Sequence, residues 1–189
     1  MSKFTFDTEF HEDGKTIDFI SIGMVNMDTG DEYYAVSREF DTRRVAQNQW
    51  LMDNVMPSIA HEKFVVADFQ GSPVVRDIYI TDKNAKANHV IAYDIWDFIR
   101  STNKPKTSDV ELWAWYGAYD HVALAQLFGR MIDLPKGMPM FTNDIKTLHK
   151  QASYPAMPKQ PEGLHNALED ARFNVVRYKF LTELIKGQK

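Results

Sequence analysis

The stretch Phe4-Thr5-Phe6-Asp7-Thr8-Glu9 alternates between apolar and polar side chains. In a β-strand, successive side chains point to opposite faces, so one face carries the two phenylalanines and the other carries Asp7 and Glu9. Two carboxylates at this spacing repel each other unless solvent surrounds them or a cation or proton lies between them. The segment therefore predicts an N-terminal strand that presents an acidic pair.

Working outward from this strand, the next residues predict a β-meander. The chain breaks at Glu12-Asp13-Gly14, and residues 17–27 are rich in β-branched and aromatic side chains. Asp28-Thr29-Gly30 is typical of a hairpin turn, and residues 32–37 predict a third strand.

The remaining chain predicts helices around one further strand. Residues 110–116 form a continuous apolar run, typical of a strand buried on both faces. Helices are predicted over 42–56, ending before Pro57, and over 85–100, 119–128, 143–151 and 166–186. Residues 62–84 predict an irregular segment with one short strand near 74–80, within an insertion spanning about 62–89, and residues 101–108 predict a polar loop. Because no linker interrupts residues 1–189, we expect one α/β (α+β) domain, with a central mixed β-sheet flanked by helices.

Composition excludes several classes of site. The 189 residues contain no cysteine, which removes disulfides, thiolate nucleophiles and cysteine-ligated metals. The formal charge of −4 argues against a protein that coats nucleic acid, although an enzyme can still grip a few nucleotides locally. No apolar run approaches a membrane span or signal peptide, so we expect a cytoplasmic protein with no membrane partner.

Two acidic motifs are weak signals when each is taken alone. The Asp7-x-Glu9 pattern recurs at Asp109-Val110-Glu111, where it is typical of a solvated strand entry. Asp120 follows a strand and Gly117 at a predicted helix start, where an aspartate often caps free N–H groups. The C-terminal end of a buried strand is also a favoured place for a site in an open sheet.

The third motif depends on where the last helix begins. Asn166 and Glu169 form a capping-box pattern, and Gly163 stops an earlier start. His165 then precedes the N-cap and Asp170 lies in the first turn, and these two positions approach each other. The same spacing at His89 and Asp94 falls within a predicted helix and indicates ordinary surface.

These motifs gain weight in combination. Four carboxylates and one histidine, in the order Asp7, Glu9, Asp120, His165 and Asp170, can hold two hard divalent cations beside a base. Two such ions roughly 4 Å apart stabilise both the attacking and the leaving oxygen of a phosphodiester.

At these residues the chain resembles the DEDDh 3′-5′ exonucleases of the ribonuclease H-like superfamily. Asp7 and Glu9 match the first motif, Asp120 the second, and His165 with Asp170 the third. It is more closely similar to the bacterial polyadenylate-specific exoribonuclease AS family in the segments 6–10, 12–14, 20–23, 32–37, 111–115, 117–121 and 170–172.

The resemblance implies a ribonuclease H-like fold, a homodimer, two Mg²⁺ or Mn²⁺ ions, and release of 5′-nucleotides from the 3′ end of single-stranded RNA. It implies that Asp7 contacts both metals, that Glu9 and Asp170 complete one site and that Asp120 serves the other. His165 would be the general base, and Glu9 would also contact the terminal 3′-hydroxyl. Phe10, which follows the first motif, would either stack on a base or act as a core or rim aromatic.

Several other residues are predicted to be structural. Trp113 and Trp115 are expected in the core, and His121 is expected to face solvent. Basic residues that either contact phosphates or are only solvated are Arg43, Arg44, Lys104, Lys106 and Lys159.

Three alternatives to an exoribonuclease remain open. The first is a 3′-5′ exonuclease acting on single-stranded DNA, because the sequence does not reveal contacts to a 2′-hydroxyl. The second is a catalytically silent nucleic-acid-binding module on the same fold. A glycosidase using Asp7 and Glu9 is less favoured, since side chains two apart on a strand lie too close to work on opposite sides of a sugar.

Overall fold

A six-stranded mixed sheet forms the centre of the computed structural model, which describes residues 2–102 and 109–187. The strands are β1 (Ser2–Glu12), β2 (Ile17–Asn26), β3 (Glu32–Ser37), β4 (His61–Ala67), β5 (Pro73–Ile80), β6 (Ala85–Lys86), β7 (Val110–Ala114) and β8 (Asn143–Asp144). The helices are α1 (Thr42–Gln47), α2 (Gln49–Asn54), α3 (Asn88–Thr102), α4 (Ala118–Gln126), α5 (Ile145–Gln151) and α6 (Ala167–Gly187), with short 3₁₀ turns at Met56–Ser58 and Met131–Asp133.

The predicted meander is confirmed and provides half of the sheet. The strand order is β6-β3-β2-β1-β7-β8. β2 runs antiparallel to both β1 and β3, whereas β7 lies parallel to β1 and β8 parallel to β7. Asp7 lies opposite Gly23 and Glu9 opposite Ser21, and the β1–β2 register shifts just after Glu9. The acidic pair is therefore in the middle of the sheet.

Helices cover both faces of this sheet. Phe4 and Phe6 are fully buried with Ile91, Ile95 and Leu124, which come from α3 and α4. On the opposite face α6 packs on β1 and β2, where the Thr5 hydroxyl donates to the Ala171 carbonyl over 2.9 Å. The predicted α/β architecture, with a central mixed sheet flanked by helices, is confirmed.

The single helix predicted over 42–56 is wrong, because Asn48 interrupts it. Asn48 has an extended backbone with φ −93° and ψ 98° and ends α1. Its side chain accepts a hydrogen bond from the Leu51 N–H, so the same residue caps the start of α2. Asparagine competes for backbone hydrogen bonds in this way, which makes it a good cap and a poor helix interior residue.

The irregular segment predicted over 62–84 is instead a β-hairpin, although the short strand predicted near 74–80 within it is confirmed as β5. β4 and β5 pair antiparallel in a sheet of their own. The Asp68 carboxylate accepts hydrogen bonds from the N–H groups of Gln70 and Ser72 and so closes the turn. Ile78 is the buried anchor of the hairpin, whereas most β4 side chains are exposed, so β4 lacks the alternation that would predict a strand.

Smaller differences affect the ends of elements. The helix predicted over 85–100 begins at Asn88, because Ala85–Lys86 pairs with β3. The strand predicted over 110–116 ends at Ala114, and Asn143–Asp144 pairs with β7 instead of opening α5. Lys104, Lys106 and most of the predicted loop 101–108 lie outside the described residues. Within 2–102 and 109–187, every helix is too short or too polar to cross a membrane.

Candidate metal centre

Three carboxylates meet above the middle of the sheet. Asp7 and Glu9 come from the same face of β1, and Asp170 comes from the first turn of α6. One ligand oxygen of each residue lies within 4.8 Å of the others. Because Asp170 is about 160 residues from the other two along the chain, the packing of α6 on β2 is what brings it to this place.

The cluster is electrostatically strained. Burial raises the pKa of Asp7 well above its usual range, and the charges of Asp120, Glu9 and Asp170 raise it further. Burial likewise raises the pKa of Glu9 to about 8, with additional contributions from Asp170 and Asp120. Carboxylates that are costly to ionise together are a favourable environment for a divalent cation.

Asp120 lies beside this cluster and is held by Thr8. Its Oδ1 accepts hydrogen bonds from the Thr8 backbone N–H over 2.8 Å and from the Thr8 hydroxyl over 2.7 Å. Burial raises the pKa of Asp120 to about 6 despite these bonds. Asp120 is thus tied to β1, and its carboxylate lies close enough to raise the pKa of both Asp7 and Glu9.

The start of α6 positions His165 next to Asp170. Asn166 caps the helix, accepting hydrogen bonds from Leu168 N–H and Glu169 N–H at 3.1 and 3.2 Å. Only this half of the predicted capping box forms, because the Glu169 carboxylate pairs with Arg172. His165 has a left-handed φ of 62°, which directs its backbone N–H to the Asp170 carboxyl.

The His165 imidazole lies against the indole ring of Trp50. Their ring centroids are 4.9 Å apart in an edge-on arrangement. The imidazole is not a member of the carboxylate group itself, although His165 lies close enough to Asp170 to influence the pKa of that carboxyl. Trp50, which the sequence did not single out, is thus part of the immediate surroundings of the site.

A cavity of about 350 Å³ opens next to Glu9. It is lined by Thr8, Glu9, Phe10, Glu12, Asn48, Trp50 and Leu51. The Phe10 ring is half-buried, packs against the main core and stacks on Tyr119 with centroids 6.1 Å apart. Phe10 is therefore a rim aromatic, as one of the two predicted roles had it, and it also lines the cavity. Its stacking on a base stays a prediction.

Arg177 is a further residue that sequence reasoning missed. It follows Asp170 by seven positions, which places both on one side of α6. Its guanidinium lies 4.7 Å from the ring centroids of both Trp115 and Phe173, and Nη1 donates to Asn174 Oδ1 over 2.8 Å. Its positive charge lowers the pKa of Asp7 and Asp170, against the larger effect of burial.

We expect Arg177→Met to bind Mn²⁺ about three- to tenfold more tightly, because one positive charge near the cluster is removed. The metal-free variant should also be less stable by about 1 kcal/mol, since the carboxylates lose a compensating charge. Calorimetric titration with Mn²⁺ and thermal unfolding in chelator measure the two effects. Arg177→Lys keeps the charge and is the control; equal changes in both variants would contradict an electrostatic role.

Of the residues predicted to be structural, the two tryptophans pack against apolar side chains and His121 differs from its prediction. Trp113 and Trp115 are half-buried and pack on a smaller cluster around Ile145 and Leu181. His121 does not face solvent as predicted: it is half-buried and its Nδ1 lies 3.0 Å from the Thr142 hydroxyl, because the chain after α4 folds back over it.

The basic residues, and the residues that repeat the spacing of the acidic and histidine motifs, have ordinary surroundings. Arg43 pairs with Asp77 and Arg44 with Asp13, and Lys159 is exposed. In the repeated patterns, His89 is exposed and Asp94 pairs with Lys86. Glu111 accepts a hydrogen bond from the Trp113 indole.

Comparison with known proteins identifies the class of enzyme. Residues 2–181 match the family described as the 3′-5′ exoribonuclease Rv2179c-like domain. The chain belongs to this family. It is 39% identical over 180 residues to the 3′-5′ exoribonucleases Rv2179c and MT2234.1 of two Mycobacterium tuberculosis strains, covering 95% of this chain and 93% of each relative.

A distant structural likeness accompanies the family match. A 3′-exonuclease solved in recognition of the 3′ end of a histone mRNA stem-loop aligns with a TM-score of 0.49 at 9% identity. The alignment covers 98% of this chain and 64% of that one. The predicted enzyme class, a 3′-5′ exoribonuclease, rests on the family and on the two mycobacterial relatives.

Proposed function

We propose that this chain is a two-metal-ion exoribonuclease that releases 5′-nucleoside monophosphates from the 3′ end of single-stranded RNA. The observation that carries the proposal is the convergence of Asp7, Glu9 and Asp170 within 4.8 Å, with the buried Asp120 beside them. Family membership supplies the reaction class, and the carboxylates supply a place for it.

The donor set fits hard divalent ions such as Mg²⁺ or Mn²⁺. All of the candidate ligands are carboxylate oxygens, and their mutual repulsion favours a cation among them. Asp7 would contact both ions, Glu9 and Asp170 would complete one site, and Asp120 would serve the other. When bound, such ions activate a water molecule and stabilise the departing oxygen of a phosphodiester.

The protein side chains then have separate tasks. His165 would accept the proton of the attacking water, a role that suits imidazole near neutral pH. Glu9, which lines the cavity beside Trp50 and Phe10, would contact the terminal 3′-hydroxyl and so select a free end. Phe10 would offer its ring to the terminal base, since aromatic stacking accepts bases of any sequence.

We extend the proposal to substrate preference and assembly. The resemblance to the polyadenylate-specific exoribonuclease AS family supports poly(A) 3′ ends as a substrate and a homodimer as the active species. Exposed apolar side chains on the β4–β5 hairpin, among them Phe64, Phe69 and Tyr79, provide surface of the kind that subunit contacts bury.

A digestion panel tests this function. Poly(A), mixed-sequence RNA and single-stranded DNA, each labelled at the 5′ end, are incubated with the protein in Mn²⁺, Mg²⁺ or EDTA. We expect stepwise shortening of RNA, release of 5′-monophosphates, and complete loss of activity in EDTA. Faster digestion of DNA would favour the alternative exonuclease, and metal binding without cleavage of any substrate would favour a silent binding module.

A further inference from the structure

A second group of side chains follows the C-terminal end of β7. Tyr116 lies two residues beyond the strand, and the residue is 62% exposed. Its backbone has a left-handed φ of 62°, which is costly for a bulky residue. The Tyr116 N–H donates to Asp144 Oδ1 over 3.1 Å, and this bond helps to hold the strained conformation. Such strain is commonly found at binding and catalytic sites.

Lys146 places a positive charge beside this ring. Its Nζ lies 4.9 Å from the Tyr116 ring centroid and 4.5 Å from that of Trp115. Within 2–102 and 109–187, no carboxylate oxygen lies within 4.0 Å of this Nζ, although the chain as a whole is acidic. Lys146 is half-buried, and its ammonium contacts two aromatic rings and lies 3.5 Å from His149 Nδ1. Among the described residues, no acidic side chain forms an ion pair with it.

This Tyr116–Lys146 surface adjoins the carboxylate cluster. The Trp115 ring that contacts Lys146 also contacts Arg177, whose charge acts on Asp7 and Asp170. Asp144, which holds Tyr116, lies close enough to Asp120 to raise its pKa. β7 pairs directly with β1, the strand that carries Asp7 and Glu9. The Tyr116–Lys146 surface, which follows the end of β7, therefore lies beside the acidic strand.

We propose that Tyr116 and Lys146 bind the RNA chain on the 5′ side of the scissile bond, with a base stacked on the Tyr116 ring and a phosphate at the Lys146 ammonium. This inference rests on the proposed exoribonuclease function. It assigns a substrate subsite to two residues outside the predicted catalytic motifs.

The sheet order favours the 5′ side. The cavity lined by Phe10 and Trp50 lies between β1 and α2, and α2 packs on β2 and β3. Its volume of about 350 Å³ suits a single terminal unit. The Tyr116–Lys146 surface lies on the other side of β1, toward β7, and its aromatic ring is open to solvent. A chain that threads between the two must leave its continuing part on the open side.

The chemistry of the pair suits single-stranded RNA. A base has a π-face whatever its identity, so an exposed tyrosine ring binds it without sequence preference. An unneutralised ammonium attracts phosphate, and each such contact adds to the salt dependence of binding. A peptide or lipid partner would not require a site continuous with the carboxylates.

The test compares substrate lengths in the full-length protein. Lys146→Met keeps the alkyl stem, and Tyr116→Asn removes the ring while tolerating the left-handed backbone. For an oligoribonucleotide of about eight residues we expect each variant to raise KM about five- to tenfold, with kcat within twofold of wild type. For a dinucleotide the KM should change less than twofold. Controls are Lys136→Met, an exposed lysine after the 3₁₀ turn Met131–Asp133, and Tyr93→Ala on α3, which should change neither value.

A binding experiment separates the charge from the packing. In an Asp7→Asn background, which prevents cleavage, fluorescence anisotropy measures binding of the same labelled RNA at several salt concentrations. Lys146→Met should reduce the slope of log K against log salt by about 0.7, and Tyr116→Asn should weaken binding without changing the slope.

The outcomes distinguish this inference from the proposed function. Equal KM changes for long and short substrates, or an unchanged salt slope in Lys146→Met, would overturn the subsite. If the wild-type protein does not shorten RNA at all, the proposed function fails. In that case a salt-sensitive loss of RNA binding in Lys146→Met would still support the surface.

Discussion

Asp7→Asn is expected to reduce RNA cleavage by about 10³-fold or more while making the metal-free protein more stable. Burial raises the pKa of Asp7 well above its usual range, and the charges of three neighbouring acids raise it further. The amide keeps the shape but cannot supply a charged ligand shared by two ions, so the metal-dependent part of catalysis should be lost. The same change removes a repulsive charge, and active-site residues commonly trade stability for function in this way.

The gain in stability should depend on pH. The folded protein holds the pKa of Glu9 at about 8 and that of Asp7 well above its usual range, so the native state retains protons that the unfolded chain releases. The metal-free wild type should therefore lose stability as the pH rises from about 4 to about 8. In Asp7→Asn one of these groups no longer titrates and the others repel less, so the curve should be flatter.

The measurements are initial rates on 5′-labelled RNA and thermal unfolding in EDTA across this pH range. Mn²⁺ should raise the unfolding temperature of the wild type and have little effect on the variant, because ions bind the native state only. Asp109→Asn is the matched control, since Asp109 belongs to the second Asp-x-Glu pattern and is exposed. Full cleavage activity in Asp7→Asn would exclude Asp7 as an essential ligand.

The meander and the capping signals could be predicted because their causes are local. Alternation in residues 4–9 fixes which face of β1 carries the acids, and a turn at residues 28–30 fixes the next pairing. Asn166 sets the start of α6, and from it the approach of the His165 backbone to Asp170 follows. These parts of the site required only the periods of strands and helices.

The remainder depends on tertiary contacts that no local pattern reveals. β4 has mostly exposed side chains on both faces, so its sequence shows no alternation of apolar and polar residues. Its pairing with β5 is what makes it a strand. The Arg177 guanidinium packs on the ring of Trp115, which lies over 60 residues away in the chain. Thr8 lies between the two acids in β1, and its hydrogen bonds to Asp120 depend on how α4 packs on β1.

Gly23→Ala should damage both the fold and the site. A Cβ at this position would lie 2.3 Å from the Ala167 carbonyl oxygen and 2.3 Å from Leu168 Cα. Both atoms belong to the backbone at the start of α6, so no side-chain rotation relieves the contact. We expect a loss of about 3 kcal/mol or more in the free energy of unfolding, at the upper end of the range for overpacked cores.

The catalytic effect should exceed what the lost stability explains. Gly23 lies opposite Asp7 in the sheet and allows the start of α6 to approach β2 closely. Asp170 follows the contacting residues Ala167 and Leu168 by two to three positions in α6. A helix displaced by about 1 Å moves Asp170 away from Asp7 and Glu9, and misplacement of that size can cost about 10²-fold in rate. We therefore expect a reduced kcat and weaker Mn²⁺ binding at temperatures where the variant is fully folded.

Urea unfolding, single-turnover cleavage and Mn²⁺ titration measure the three effects on one sample. Gly187→Ala is the control, because a Cβ at the end of α6 meets no atom of another element within 4 Å in the described part of the chain. If Gly23→Ala were destabilised but kept its metal affinity and rate, α6 would have to shift without moving Asp170, and the close approach at Gly23 would serve the core alone. If stability, cleavage rate and Mn²⁺ affinity all fall together, the absence of a side chain at Gly23 is what allows Asp170 to join Asp7 and Glu9.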